Sequence, residues 1–366
     1  MNDSIKRIPS LDGLRAVSVL LVVFSHLVGP LPYNIENAVG NLGVRVFFVI
    51  SGFLITSILV AEVEKTSTLS LTKFYFRRTL RIFPAYYFYL AAVFLASAAG
   101  IVQIPPESFF SSLTYTSNYI EPGVWELGHS WSLSVEEQFY LLFPGLILLC
   151  GLARTKKCLI FIVLLTPFIR VVNFLILESY VGFEIPVWYV FGFHTNMDAL
   201  AVGCLLAVYR KQLHDNEQYK NFLRSPAAFC FIPLTIAAIV YNYSYNIIYF
   251  GVGITLLNLL IGSLIDWVTV NCSSAAGKIL NSKIFVSVGL VSYSIYLWQQ
   301  PFSKYDAEKW WTHFPYNIIL LTAFSLLSYF LIEKKSLYLR QILENKLFNS
   351  NSKNLKVQNE LSRKTV

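Results

Sequence analysis

Apolar runs long enough to cross a membrane recur ten times along the chain, at about 11–31, 41–61, 83–104, 132–153, 158–178, 188–209, 226–243, 247–268, 284–303 and 315–333. About 20 apolar residues in a helix cover the ~30 Å hydrocarbon core of a bilayer. The pattern predicts an all-α polytopic membrane protein of about ten transmembrane helices. The first run lies where a signal sequence would. It is too long for one, lacks a small-residue cleavage site and contains Arg15 and His26, so it is expected to stay as a span.

Composition agrees with this pattern. The 366 residues are 55% hydrophobic and 14% charged, and mean hydropathy is +0.55. A soluble domain carries about 25% charged residues. The net charge of +8 would by itself suggest a nucleic-acid partner, but the positions of the charges argue against one. Of 29 Lys and Arg, 24 lie at the two ends and in the even-numbered gaps between spans. The odd-numbered gaps hold Lys304 and Lys309 alone, and Arg15, Arg45 and Arg170 fall inside spans. Such asymmetry marks the basic side as cytoplasmic, so both termini are expected inside and the spans should be even in number. The expected location is the bacterial inner membrane, with the basic face against anionic lipid.

The expected organisation is a transmembrane domain over 1–335 and a basic cytoplasmic tail over 336–366, with disorder beyond about 345 and no appended extracytoplasmic domain. The connection 62–82 is expected to lie as an amphipathic helix at the cytoplasmic interface, with Phe74, Tyr75 and Phe76 beside Arg77, Arg78 and Arg81. The five cysteines suggest neither a disulfide framework nor a zinc site, and no metal is expected. The two halves share no repeat of charge or glycine, which weakens a reading as an inverted-repeat transporter.

Ionisable groups inside a span mark function by default. Arg15 and His26 are eleven residues apart, three helical turns plus about 20°, so they share one face roughly 16 Å apart. Arg15 is then near the cytoplasmic side and His26 in the outer half. Arg45 falls near the outer end of the second span, and Glu136 and Glu137 in the outer third of the fourth. Tyr140 is i+4 from Glu136 and can share its face, and Arg78 and Arg81 are i, i+3 at the cytoplasmic edge. Cations at the inner mouth suit phosphate groups. An imidazole and a carboxylate farther out suit acid–base chemistry on a hydroxyl. A donor with a phosphorylated head and a long arm, such as acyl-coenzyme A, has the matching shape. Plainer readings stay open: Arg15 and Arg45 can snorkel to the interfaces, Asp12 can pair with Arg15, and Asp198 suits helix pairing better than catalysis.

Six stretches carry a family resemblance: IPSLDGLRAVSVLLVVFSHL (8–27), GVRVFFVISGFLIT (43–56), FYFRRTLRIFPAYY (74–87), HSWSLSVEEQFYLLFP (129–144), MDALAVGCLLA (197–207) and VSYSIYLWQQP (291–301). In this order they resemble the integral-membrane acyltransferases of acyltransferase family three. The resemblance implies transfer of acyl groups, usually acetyl, from cytoplasmic coenzyme A to envelope carbohydrates, with functional residues at Arg15, His26, Arg78, Arg81 and Glu136. The chain departs from the family at Gln299 (many members have His), at Asn196 (an Arg is common) and at Lys335 (often Pro). A role for those three positions is not carried over.

The expected mechanism has acetyl-coenzyme A docking from the cytoplasm on Arg78, Arg81 and Arg15, with Arg45 a further cation for the donor or for the oxyanion. His26 is the expected general base, with Glu136 holding its tautomer. Trp131, Tyr140, Tyr293 and Trp298 are candidates to contact a carbohydrate or lipid-linked glycan acceptor, such as O-antigen or exopolysaccharide. A transporter or flippase for an envelope lipid or sugar is the main alternative, and a membrane sensor or scaffold is a third.

Overall fold

The computed structural model describes residues 8–349 apart from 29, 32–34, 121–122, 181–189, 226–246, 305 and 307. The expected span at 226–243 and the end of the tail beyond 349 lie outside the described residues. Within them the chain is helical, without strands.

α1 (Pro9–Leu27) starts on a proline, which loses nothing at a first turn where the amide is unpaired anyway. α2 (Ile35–Thr66) returns alongside it. α3 (Leu71–Ala98) is capped by Ser70, whose hydroxyl accepts the Lys73 amide. This corrects the interfacial helix expected at 62–82. α2 and α3 are separated by residues 67–70 alone, and the basic Arg77–Arg81 segment is the first part of a spanning helix. α4 (Pro106–Leu113) folds into the long outer connection.

α5 (Ser130–Tyr180) contains both the fourth and the fifth expected spans, broken where Gly151 turns to φ 70° and ψ 162°. A side chain there would strain the left-handed backbone, so glycine sets the break. α6 (Phe193–Asp215) and α7 (Glu217–Arg224) follow. Then come α8 (Ile254–Val270), α9 (Ala275–Leu280), α10 (Lys283–Trp298) and α11 (Tyr316–Ser328). After a wider turn at Tyr329–Glu333, α12 (Lys334–Glu344) carries on and packs on α3, where Arg77 pairs with Glu344. The boundary expected at 335 therefore falls inside helical structure, which reaches Asn349.

Six described helices are long and apolar enough to cross a membrane, and the shorter apolar α10 sits among them. α6 is not among the six. Its Thr195, Asn196 and Asp198 are buried along with Leu200, Val202 and Cys204, so its polar groups face protein rather than lipid. On α5, Leu149 and Leu164 are 84% and 69% exposed, as expected of residues facing acyl chains. α2 and α6 cross closely: a Cβ on Gly52 would fall on the carbonyl oxygen of Leu200, and one on Gly203 on that of Val49. Lipid is as apolar as leucine, so close backbone packing of this kind is what holds membrane helices together. α1 lies between α2 and α10, which sets what surrounds Arg15 and His26.

Candidate functional site

Two cavities lie along α1. The first, about 490 Å³, is lined by Arg15, Arg78, Arg81, Glu136, Tyr293 and Glu333 among others. The second, about 390 Å³, is lined by His26, Arg45, His129, Trp131, Asn196 and Gln300 among others. The shared helix face read from the eleven-residue spacing is thus divided, with the cation opening on one cavity and the imidazole on the other. Val44 and Tyr296 line both, so the cavities abut there.

The arginine cavity brings together three guanidinium groups, those of Arg15, Arg78 and Arg81, from two helices, close enough to feel one another's charge; Arg210 also lines it but is paired with Asp266. None of the three has a carboxylate within 4 Å among the described residues. Arg78 lies 3.6 Å above the Tyr140 ring, and its buried Nε has no hydrogen-bond partner. Two of the carboxylates that line this cavity bond to hydroxyls: Glu136 accepts from Ser51 at 2.8 Å and Tyr140 at 3.0 Å, and Glu333 accepts from Ser294 at 2.9 Å; Asp12 and Glu137 line it too. Guanidinium groups not tied into direct salt bridges around a cavity suit a ligand with several phosphate oxygens. Arg77, by contrast, is taken up by Glu344.

In the second cavity, His26 donates from Nδ1 to Gln299 Oε1 at 2.6 Å, and its ring packs edge-on against Trp125 at 5.0 Å. With Nδ1 carrying the hydrogen, Nε2 keeps its lone pair, as a general base requires. A parallel pair stands beside it. The backbone amide of His129 donates to Gln300 Oε1 at 2.8 Å, and Nδ1 of the same residue donates to that oxygen at 2.6 Å. Trp125 Nε1 fixes the Gln300 backbone by donating to its carbonyl at 2.6 Å.

Several expected positions therefore change. Glu136 does not orient His26, because it lies in the arginine cavity and Gln299 takes that role. Glu137, expected nearer the loop, lines the arginine cavity as well. Arg45 is separated from the other three cations and opens on the cavity of His26. Tyr140 and Tyr293 belong to the arginine cavity; the Tyr293 hydroxyl donates to the Ile82 carbonyl at 3.1 Å. Trp131 lines the imidazole cavity and stacks on Phe191 at 4.4 Å. Trp298 lines neither cavity. It is 5% exposed and wedged against Tyr89 and Phe324, with ring centroids at 5.2 and 5.0 Å. Asp198 does pair helices, holding Arg170 at 2.5 Å and accepting from Thr255 at 2.6 Å.

Sequence reasoning passed over Gln300, His129 and Glu333, and named Gln299 only as a departure from the family to which no role was carried over. Two adjacent glutamines inside an apolar run were the available signal, since a buried amide needs partners. Those partners lie 273 and 171 residues away, beyond the reach of any local pattern.

Residues 8–334 match the acyltransferase domain family, acyltransferase family three. The chain belongs to this family. It is 33% identical over 311 residues to a Staphylococcus aureus (strain COL) protein named provisionally as an O-acetyltransferase, SACOL0978, a match covering 80% of this chain and 50% of that protein. It is 31% identical over 327 residues to the O-acetyltransferase OatA of S. aureus (strain NCTC 8325), with the same coverage of 80% and 50%. The chain thus spans about half the length of the curated relatives it matches. No solved structure matches it. Family membership and the apolar helices make this a multi-pass membrane protein with an acyltransferase domain.

Proposed function

We propose that this membrane acyltransferase moves an acetyl group from cytoplasmic acetyl-coenzyme A to a hydroxyl of an envelope carbohydrate presented at the opposite face. The observation that carries the reading is the abutment of the two cavities at Val44 and Tyr296. One cavity offers guanidinium groups outside direct salt bridges and the other an imidazole with a free Nε2. In this reading Arg15, Arg78 and Arg81 hold the phosphates of the donor, and its arm extends past Val44 and Tyr296 towards His26. His26 Nε2 takes the proton of the acceptor hydroxyl. The hydroxyl oxygen forms the new ester bond at the thioester carbon, the carbon–sulfur bond breaks, and coenzyme A leaves as the thiol. Gln299 holds Nδ1–H throughout, and Trp131 supplies an apolar face for a sugar ring.

The names of the relatives support O-acetylation, and the positive-inside asymmetry supports donor entry from the cytoplasm. The test uses the purified chain in nanodiscs with labelled acetyl-coenzyme A and envelope glycans. Loss of a general base costs about 10²–10⁴ in rate, so His26→Ala should abolish detectable ester while the protein still purifies as a single species. Near-normal acetylation by that variant, or transport of glycan without ester formation, overturns the proposal.

A further inference from the structure

The imidazole cavity contains two arginines that differ in one respect. Arg170 is neutralised by Asp198 at 2.5 Å. It also donates from Nε to the Thr195 carbonyl at 2.8 Å and from Nη1 to Gly251 O at 3.2 Å and Thr255 Oγ1 at 3.1 Å. Arg45 has no carboxylate within 4 Å among the described residues. Its contacts are two neutral amide oxygens, Asn258 Oδ1 from Nη1 and Asn196 Oδ1 from Nη2, each at 3.5 Å. The Asn196 amide is fixed in this sense because its NH₂ donates to Val190 O at 2.8 Å and Gly192 O at 3.1 Å. The two amides therefore aim the guanidinium and leave its charge uncompensated. Among the described residues lining the cavity there is no carboxylate.

Depth follows from the pairing of α1 with α2. Gly40 faces Ser25, and Gly43 faces Ser18 and Val22, so the Arg45 backbone is level with about residue 19. That is roughly seven residues, or about 10 Å, below His26. The Arg45 guanidinium opens on the same cavity as the imidazole.

An isolated cation removed from water is costly unless an anion meets it. We propose that Arg45 is a subsite for an oxyanion, a carboxylate or a phosphate, carried by the acyl acceptor whose hydroxyl His26 deprotonates. The substrate class is thus an acidic glycan rather than a neutral one. This rests on the imidazole cavity being the acceptor side.

The test is binding to the full chain in nanodiscs without donor, using three probes of matched length: a neutral glucose oligomer, its counterpart oxidised to glucuronate, and a counterpart carrying a phosphate monoester. The wild type should bind at least one acidic probe about 10- to 100-fold more tightly than the neutral one, the range for a charge-assisted hydrogen bond. The uronate and phosphate arms identify which oxyanion is read. Arg45→Gln should remove the preference, Arg45→Lys should keep part of it, and Arg45→Glu should reverse it, so that the neutral probe binds more tightly than either acidic one. Wild-type binding with no acidic preference, including no binding of any probe, overturns the proposal. So does a preference that survives Arg45→Gln. Donor consumption by the same preparations, compared with His26→Ala, reports separately on the acyl-transfer reading, so failure of one does not imply failure of the other.

Discussion

Gln299→Leu tests the imidazole directly. Gln299 is fully buried, and its Oε1 is 2.6 Å from His26 Nδ1, with the Ser303 hydroxyl also directed at it from 3.4 Å. Leucine fills similar space but accepts no hydrogen bond, so Nδ1–H is left stranded in an apolar wall. An orphaned buried donor costs about 1–3 kcal/mol. The ring escapes that cost by shifting its proton to Nε2 or by rotating, and either change withdraws the base. At about 1.4 kcal/mol per decade the expected loss in kcat is about 10- to 100-fold. The KM for acetyl-coenzyme A should hold, because Gln299 does not line the arginine cavity. Gln299→Glu restores an acceptor at the same reach. It should recover most of kcat and, by stabilising the imidazolium, move the acidic limb of the pH–rate profile to higher pH. The assay is ester formation from labelled acetyl-coenzyme A, with melting in detergent run in parallel. A role in packing alone would lower the melting temperature of both variants and shift no pH limb. A kcat within about twofold of wild type for Gln299→Leu would refute the assignment.

Two further outcomes are expected. Arg78→Ala should raise the KM for acetyl-coenzyme A about 10- to 100-fold, whereas Arg77→Ala should leave it unchanged, because Arg77 is engaged by Glu344 outside the cavity; steady-state kinetics of the two variants that matched would rule out the division of labour. Gly203→Ala places a methyl group on the Val49 carbonyl at the α2–α6 crossing and should destabilise by about 1–3 kcal/mol, while Gly145→Ala, whose new Cβ meets nothing within 4 Å, should not; equal melting temperatures in detergent would contradict the crossing.

Helix content and membrane residence were legible in the sequence. Each follows from a property read along one segment: apolar length or the 3.6-residue period. The shared face of Arg15 and His26 was legible for the same reason, since both are on one helix and α1 is unbroken between them. The i+4 pairing of Glu136 with Tyr140 was likewise visible in advance.

The sequence did not determine which helix each of those faces meets. Between apolar helices in lipid there is little difference in transfer free energy to favour one neighbour over another, and the choice rests on backbone fit and a few buried polar contacts. Tertiary structure alone set α10 against α1 and thereby gave His26 an amide partner 273 residues away in place of the expected Glu136. It also divided one helix face between two cavities and set Arg45, expected near the outer end of its span, on the imidazole cavity. The residue types that carry charge and protons were fixed by the sequence; their partners were fixed by packing, because sequence patterns are local and the contacts that neutralise or expose a charge are not.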